Sequence, residues 1–137
     1  MITAIDTNIL LDILLPNPKF YDASLACLEQ SSNGGSLVVC DLAYAELCVH
    51  FPRLQDCDEF LDSVGIRVEP LNPEASFLAS RTWRIYRQQG GQRERILPDF
   101  LIGAHAQIQA SRLLSRDRGF YSKMFPSLKV VDPSTTR

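Results

Sequence analysis

The sequence has little from which to build a thiol or zinc site. Its two histidines, His50 and His105, lack a partner nearby in the chain. Its four cysteines, Cys27, Cys40, Cys48 and Cys57, show neither a CxxC pair nor a Cys/His ligand spacing. Disulfides and zinc are therefore poorly supported, and the thiols read as reduced core residues. A Ser/His or Cys/His constellation for covalent catalysis is also missing. Basic charge is not in excess: the net charge is -2, so any nucleic-acid binding must come from local patches. No apolar run approaches the roughly 20 residues that cross a bilayer. The N-terminus lacks the basic-then-apolar layout of a secretory signal. The expectation is a cytoplasmic protein with no membrane contact. Repeats, low-complexity segments and long linkers are absent too. With 137 residues, 45% hydrophobic and 22% charged, the chain reads as one folded domain with a real core.

What is present alternates. Residues 2–5 form a short apolar run, and from Asn8 onwards Ile9, Leu10, Ile13 and Leu14 recur at helical spacing. Pro16 and Pro18 break the chain, and residues 21–30 predict an amphipathic helix with Leu25 and Leu28 inward. Residues 37–40 predict a strand, followed by a helix to about His50 that Asp41 caps. A helix over 54–64, a strand over 66–71 and a long helix over 73–89 come next. Gly90 and Gly91 stop that helix, and residues 92–95 form a basic loop. A nearly all-apolar helix starts at Pro98 or Asp99 and must be buried on most sides. A strand over 112–115, a short helix over 120–125 and a strand over 128–131 complete the pattern. Strands alternating with helices predict a parallel α/β sandwich over residues 1–132, with 133–137 as a loose tail.

Four acids interrupt apolar surroundings: Asp6, Glu46, Asp99 and Asp117. Asp6 and Asp117 follow strands directly or nearly so, which places both at one edge of a parallel sheet. Glu46 sits in an apolar helix, and Asp99 opens the buried one. Singly, Asp6, Asp99 and Asp117 also read as helix caps or first-turn acids, and Glu46 as a solvent-facing residue. Gathered together they would repel one another, and a hard divalent cation with oxygen ligands is the natural compensation. Without histidine or cysteine among them, Mg²⁺ or Mn²⁺ is favoured over zinc. Arg93 and Arg95 precede Asp99, while Arg116 and Arg118 flank Asp117. These arginines are either exposed loop charges or a phosphate-gripping rim. Asp12 reads as a surface acid, the group Asp56, Asp58, Glu59 and Asp62 as a solvated helix face, and both histidines as structural.

The segments Ile5-Asp-Thr-Asn-Ile-Leu-Leu-Asp12, Tyr44-Ala-Glu-Leu47, Leu97-Pro-Asp-Phe-Leu-Ile-Gly-Ala-His-Ala106 and Leu113-Leu-Ser-Arg-Asp-Arg-Gly-Phe-Tyr121, taken together, resemble a PIN-domain ribonuclease. The subtype they resemble is the VapC-type toxin of toxin–antitoxin pairs. The resemblance implies a three-layer α/β/α sandwich with a roughly five-stranded parallel sheet. It also implies a Mg²⁺- or Mn²⁺-dependent endoribonuclease in which Asp6, Glu46, Asp99 and Asp117 are the catalytic, metal-holding acids. Thr7, Asn8 and Ser115 match the family's supporting polar residues. An RNA substrate, a cognate antitoxin protein and a homodimer are implied as well. The large apolar residues Phe60, Leu61, Phe77, Trp83 and Tyr86 suggest where a second copy would pack.

Two rival classes remain. A phosphatase of the haloacid-dehalogenase type would want an acid where Asn8 stands, and a receiver domain would want a phosphoacceptor Asp after the third strand, where Pro70, Leu71 and Asn72 stand. A degenerate PIN domain that only binds protein or RNA is the non-enzymatic alternative.

Overall fold

The computed structural model describes residues 1–90 and 95–134. Five strands form one sheet: β1 (Ile2–Ile5), β2 (Ser36–Cys40), β3 (Ile66–Glu69), β4 (Arg112–Leu114) and β5 (Val130–Val131). All four pairings are parallel, and the strands lie in the order β3-β2-β1-β4-β5. The helices between them are α1 (Thr7–Leu14), α2 (Tyr21–Asn33), α3 (Asp41–Cys48), α4 (Leu54–Ser63), α5 (Pro73–Gln88), α6 (Leu97–Gln109) and α7 (Arg118–Met124). From β1 the chain steps outward to β2 and β3, then crosses back to β4 and β5. Parallel crossovers are right-handed, so the two directions of travel place their helices on opposite faces of the sheet. The expected three-layer sandwich is the result.

The order reverses between β1 and β4. At such a switch point the loops leaving adjacent strands diverge and open a crevice at the carboxyl edge, where open α/β sheets bind ligands. Asp6 leaves β1 there, and Ser115 to Asp117 leave β4.

The core follows from sequence pattern. The Ser-Leu-Val-Val-Cys run of β2 is buried at every position after Ser36, as a strand covered on both faces requires. In α6, Phe100, Ile102, Gly103, Ala104, His105 and Ala106 are all buried. Gly103 makes that possible, because a Cβ there would sit 2.4 Å from the Phe125 ring. His105 is structural, as expected: it is 1% exposed and its Nε2 lies 2.9 Å from a Glu69 carboxylate oxygen. Burial lowers its pKa against the opposing pull of Glu69.

Several boundaries differ from expectation for identifiable reasons. β3 ends at Glu69 rather than residue 71 because Pro70 has no N–H for the ladder. α6 starts at Leu97, which puts Pro98 in the first turn, where its missing N–H costs nothing. α2 runs on to Asn33, since Ser31 is buried and its hydroxyl accepts from Arg112 Nη2 at 3.1 Å. β5 is only two residues long because the Leu128 N–H closes a turn onto the Phe125 carbonyl. Much of the apolar surface expected to be in excess on α4 and α5 is spent internally. Leu61 is buried, and Phe60, Trp83 and Tyr86 pack against the core, whereas Phe77 stays 62% exposed.

Candidate functional site

Asp6 lies at the centre of the crevice. Its backbone N–H donates to the Leu114 carbonyl at 3.0 Å, which pins it between β1 and β4. Its side chain is only 6% exposed. Oδ1 accepts the Thr7 N–H at 2.7 Å, and Oδ2 accepts the Ser115 hydroxyl at 2.7 Å and the Asn8 side-chain amide at 3.4 Å. Burial pushes the Asp6 pKa up to about 6, a rise that Glu46 reinforces and that bonds from Ser115, Thr7 and Tyr121 oppose. Asp6 is therefore the N-cap of α1, as the cap reading expects, and a carboxylate perturbed by burial at once.

Ser115 is fully buried and serves both strand ends. Besides donating to Asp6, its oxygen accepts the Asp117 N–H at 2.9 Å. Glu46 is exposed on α3, and its Oε1 accepts the Thr7 hydroxyl at 2.7 Å. Asp99, half-buried in the first turn of α6, accepts the Ile96 N–H at 3.2 Å. Asp117, also half-buried, pairs with Arg95 Nη1 at 2.6 Å.

These acids share one electrostatic neighbourhood. Burial raises the Tyr121 phenol well above its usual range, and the charges of Asp6, Asp99 and Asp117 add to the rise. Arg95 is held in its charged form chiefly by Asp117, with Asp99 contributing. Glu46 acts in turn on Asp6. The side chains nonetheless stand apart. Among the described residues, no three of His, Cys, Asp and Glu stand close enough to hold a metal ion. Each of the four acids is tied to an internal donor instead: Ser115 on Asp6, Thr7 on Glu46, the Ile96 amide on Asp99 and Arg95 on Asp117. The donor set is all oxygen, and its central member carries an uncompensated burial cost. That chemistry fits a hard dication.

The rim arginines divide. Arg95 faces the acids, and Arg118 is exposed on the first turn of α7. Arg93 lies outside the described residues. Arg116 turns inward, donating from Nε and Nη2 to the two oxygens of Asp12 at 2.7 and 3.0 Å. Its guanidinium also sits 3.9 Å above the Phe20 ring.

Asp12 is thus no surface acid. It is 2% exposed and also accepts the Ser24 hydroxyl at 2.7 Å. Asp12 stands four residues after Asn8 on α1, one turn along the same face. Asn8 in turn accepts the Arg116 N–H at 3.2 Å. Together Asn8 and Asp12 hold Arg116 from both its backbone and its side chain, and so fix the segment that carries Ser115 and Asp117. The sequence offered one signal for this, a lone acid at i+4 from a site residue in an apolar helix. Tyr121 was missed as a site residue because its buried position beside Asp6 depends on how α7 packs.

The sequence matches the PIN domain family over residues 3–125. No curated protein matches it. Among solved structures, it is similar to VapBC-1 from nontypeable Haemophilus influenzae, with a TM-score of 0.72 and 20% identity, covering 98% of this chain and 100% of that one. VapBC2 from Rickettsia felis, bound to a DNA fragment from its promoter, gives 0.71 and 19%, covering 96% and 98%. A toxin–antitoxin complex from Klebsiella pneumoniae gives 0.62 and 18%, covering 96% and 97%.

Proposed function

This chain belongs to the PIN domain family, and from that premise we propose that it is a metal-dependent endoribonuclease, the toxin of a type II toxin–antitoxin pair. One observation carries the reading. A carboxylate that is 6% exposed sits at the switch point of the sheet, with Asp99 and Asp117 near enough to act on the same phenol. A buried acid is costly unless it has work to do or a counter-charge to meet.

Asp6, Glu46, Asp99 and Asp117 would hold Mg²⁺ or Mn²⁺, which when bound acidifies water and offsets charge on a phosphate. The chain's own residues do the rest. Ser115 orients Asp6 and holds the Asp117 backbone beside it, while Thr7 holds Glu46. Arg95 and Arg118 supply positive charge against the phosphodiester, where negative charge grows during displacement. Because Asp6 takes up a proton near pH 6, cation binding at the site is linked to proton release.

The cognate antitoxin is proposed as partner from the likeness to VapBC and toxin–antitoxin complexes. A homodimer is proposed from the apolar residues that α5 leaves outward, Phe77 at 62% and Ile85 at 50% exposed. Cytoplasmic location belongs to the same reading; among the described residues no helix is long and apolar enough to cross a membrane.

One feature favours the binding-only alternative, namely that Arg95 already neutralises Asp117. Brief induction followed by sequencing of new RNA ends separates the two. The nuclease reading expects a few recurrent new ends in unpaired loops, lost when Asp99→Asn is induced instead. Identical ends from both proteins, or none from either, would reject it.

A further inference from the structure

Beside the carboxylates lies an open cleft of about 570 Å³ lined by Tyr86, Arg95, Gly119, Phe120 and Lys123. Among the described residues its makeup is unlike that of the acidic centre: two aromatic rings, two cations and no carboxylate. The two regions meet at Arg95, whose Nη1 bonds Asp117 while its guanidinium carbon lies 4.2 Å above the Phe120 ring. The two aromatic walls continue into the core. Phe120 packs edge-on against Phe100 at 5.2 Å between centroids and against Tyr121 at 5.0 Å. Tyr86 rests on the same Phe100 at 5.3 Å. Lys123 stands one helical turn beyond Phe120 on α7 and is exposed. Gly119 leaves the cleft open, since a Cβ there would meet nothing within 4 Å.

A ligand matching this cleft is flat, polarisable on its faces and attached to an anion. An unpaired nucleobase with its phosphate has that description: bases stack on aromatic rings and on guanidinium planes, and the phosphate seeks Arg or Lys. A duplex cannot offer a base face to it, because both faces are already stacked. We propose that this cleft is a base subsite that takes one unpaired nucleotide of an RNA strand next to the phosphate presented to the acids. The proposal rests on the nuclease reading above and assigns the base-binding part of that site to the cleft.

The test is equilibrium binding in EDTA, so that no metal-dependent cleavage intervenes. Fluorescence anisotropy compares a labelled single-stranded RNA decamer, the same backbone with every base removed, and the decamer annealed to its complement. Base stacking on such platforms is worth roughly tenfold in affinity. The wild-type protein is expected to bind the intact strand about tenfold tighter than the abasic strand and the duplex. Gly119→Leu, checked for an unchanged fold by circular dichroism, fills the cleft from a position free of clashes. It should reduce the intact strand to the abasic level and leave the abasic strand where it was. Lys123→Ala should weaken both strands alike and lower the salt slope by about one.

Equal affinity for intact and abasic strands in the wild type would overturn the subsite, as would no binding at all. So would a base preference that survives Gly119→Leu. A labelled acidic peptide that binds and is displaced by Gly119→Leu, where RNA is not, would reassign the cleft to a protein partner and also overturn it. Adding Mg²⁺ then separates the two claims. Cleavage without base preference keeps the nuclease and removes the subsite; base preference without cleavage keeps the subsite and removes the nuclease.

Discussion

Removing the charge from Asp6 should stabilise the cation-free protein, against the usual effect of mutating a buried, hydrogen-bonded residue. Folding raises the Asp6 pKa from 3.8 to about 6. A raised pKa means the folded state favours the protonated form. The contribution is fully present below pH 3.8 and is lost as pH climbs through about 6. At about 1.4 kcal/mol per unit, the loss approaches 3 kcal/mol at pH 8. Asp6→Asn keeps an acceptor for one of the two short bonds, from the Thr7 amide or the Ser115 hydroxyl, and strands the other at a cost of about 1 kcal/mol. The net expectation is a gain of about 2 kcal/mol at pH 8, or roughly 6 to 8 °C in Tm for a chain of this length. At pH 4 the sign reverses, and the variant is weaker by about 1 kcal/mol. Thermal melts of both proteins in EDTA across this range give the difference curve, which cancels the separate contribution of His105. Adding Mg²⁺ should then raise the wild-type Tm and leave the variant nearly unmoved. A variant less stable than wild type at pH 8 in EDTA, or a difference independent of pH, would refute the reasoning.

Asp12→Ala leaves Arg116, itself a quarter exposed, without its bidentate partner, and should cost about 3 kcal/mol by urea unfolding. RNA cleavage should fall with it by roughly tenfold or more, because the Ser115–Asp117 segment loses its anchor; unchanged stability would place Asp12 at the surface after all. Gly103→Ala sets a helix-propensity gain of about 1 kcal/mol against a Cβ 2.4 Å from Phe125, where overpacking costs about 1 to 3 kcal/mol. A lowered denaturation midpoint with metal binding intact is expected, and a raised one would show that the Phe125 ring yields freely.

The parts of the fold legible in the sequence are those set by local pattern. The mostly apolar runs at residues 2–5 and 37–40, each followed by an aspartate, became β1 and β2 because a strand covered on both faces is nearly continuously apolar. The buried helix was legible from the apolar stretch after Asp99. What local pattern does not encode is pairing at a distance. Arg116 and Asp12 are 104 residues apart, so Asp12 read as a surface acid and Arg116 as a loop charge or part of a phosphate-gripping rim. Side-chain directions at the site were hidden for the same reason. Asp6, Asp99 and Asp117 act on one phenol and Glu46 acts on Asp6, yet each acid is turned to its own donor. The pairing of Arg95 with Asp117 depends on the packing of α7 beneath it, which no motif spacing reports. Asp99 shows why single residues mislead: it bonds the Ile96 amide as a first-turn acid would, and its charge also reaches the Tyr121 phenol.

The most direct test of the account is cleavage of RNA by the purified protein, timed with and without divalent cation and repeated with Asp99→Asn. Asp99→Asn preserves size and most hydrogen bonding while removing one charge from the acidic centre. Wild type should cleave with Mg²⁺ or Mn²⁺ and stop in EDTA. Losing one ligand charge should cost several kcal/mol of the barrier lowering, so Asp99→Asn should be slower by at least ~10²-fold. Full activity of Asp99→Asn, or wild-type cleavage that continues in EDTA, would contradict the claim that these carboxylates act through a cation.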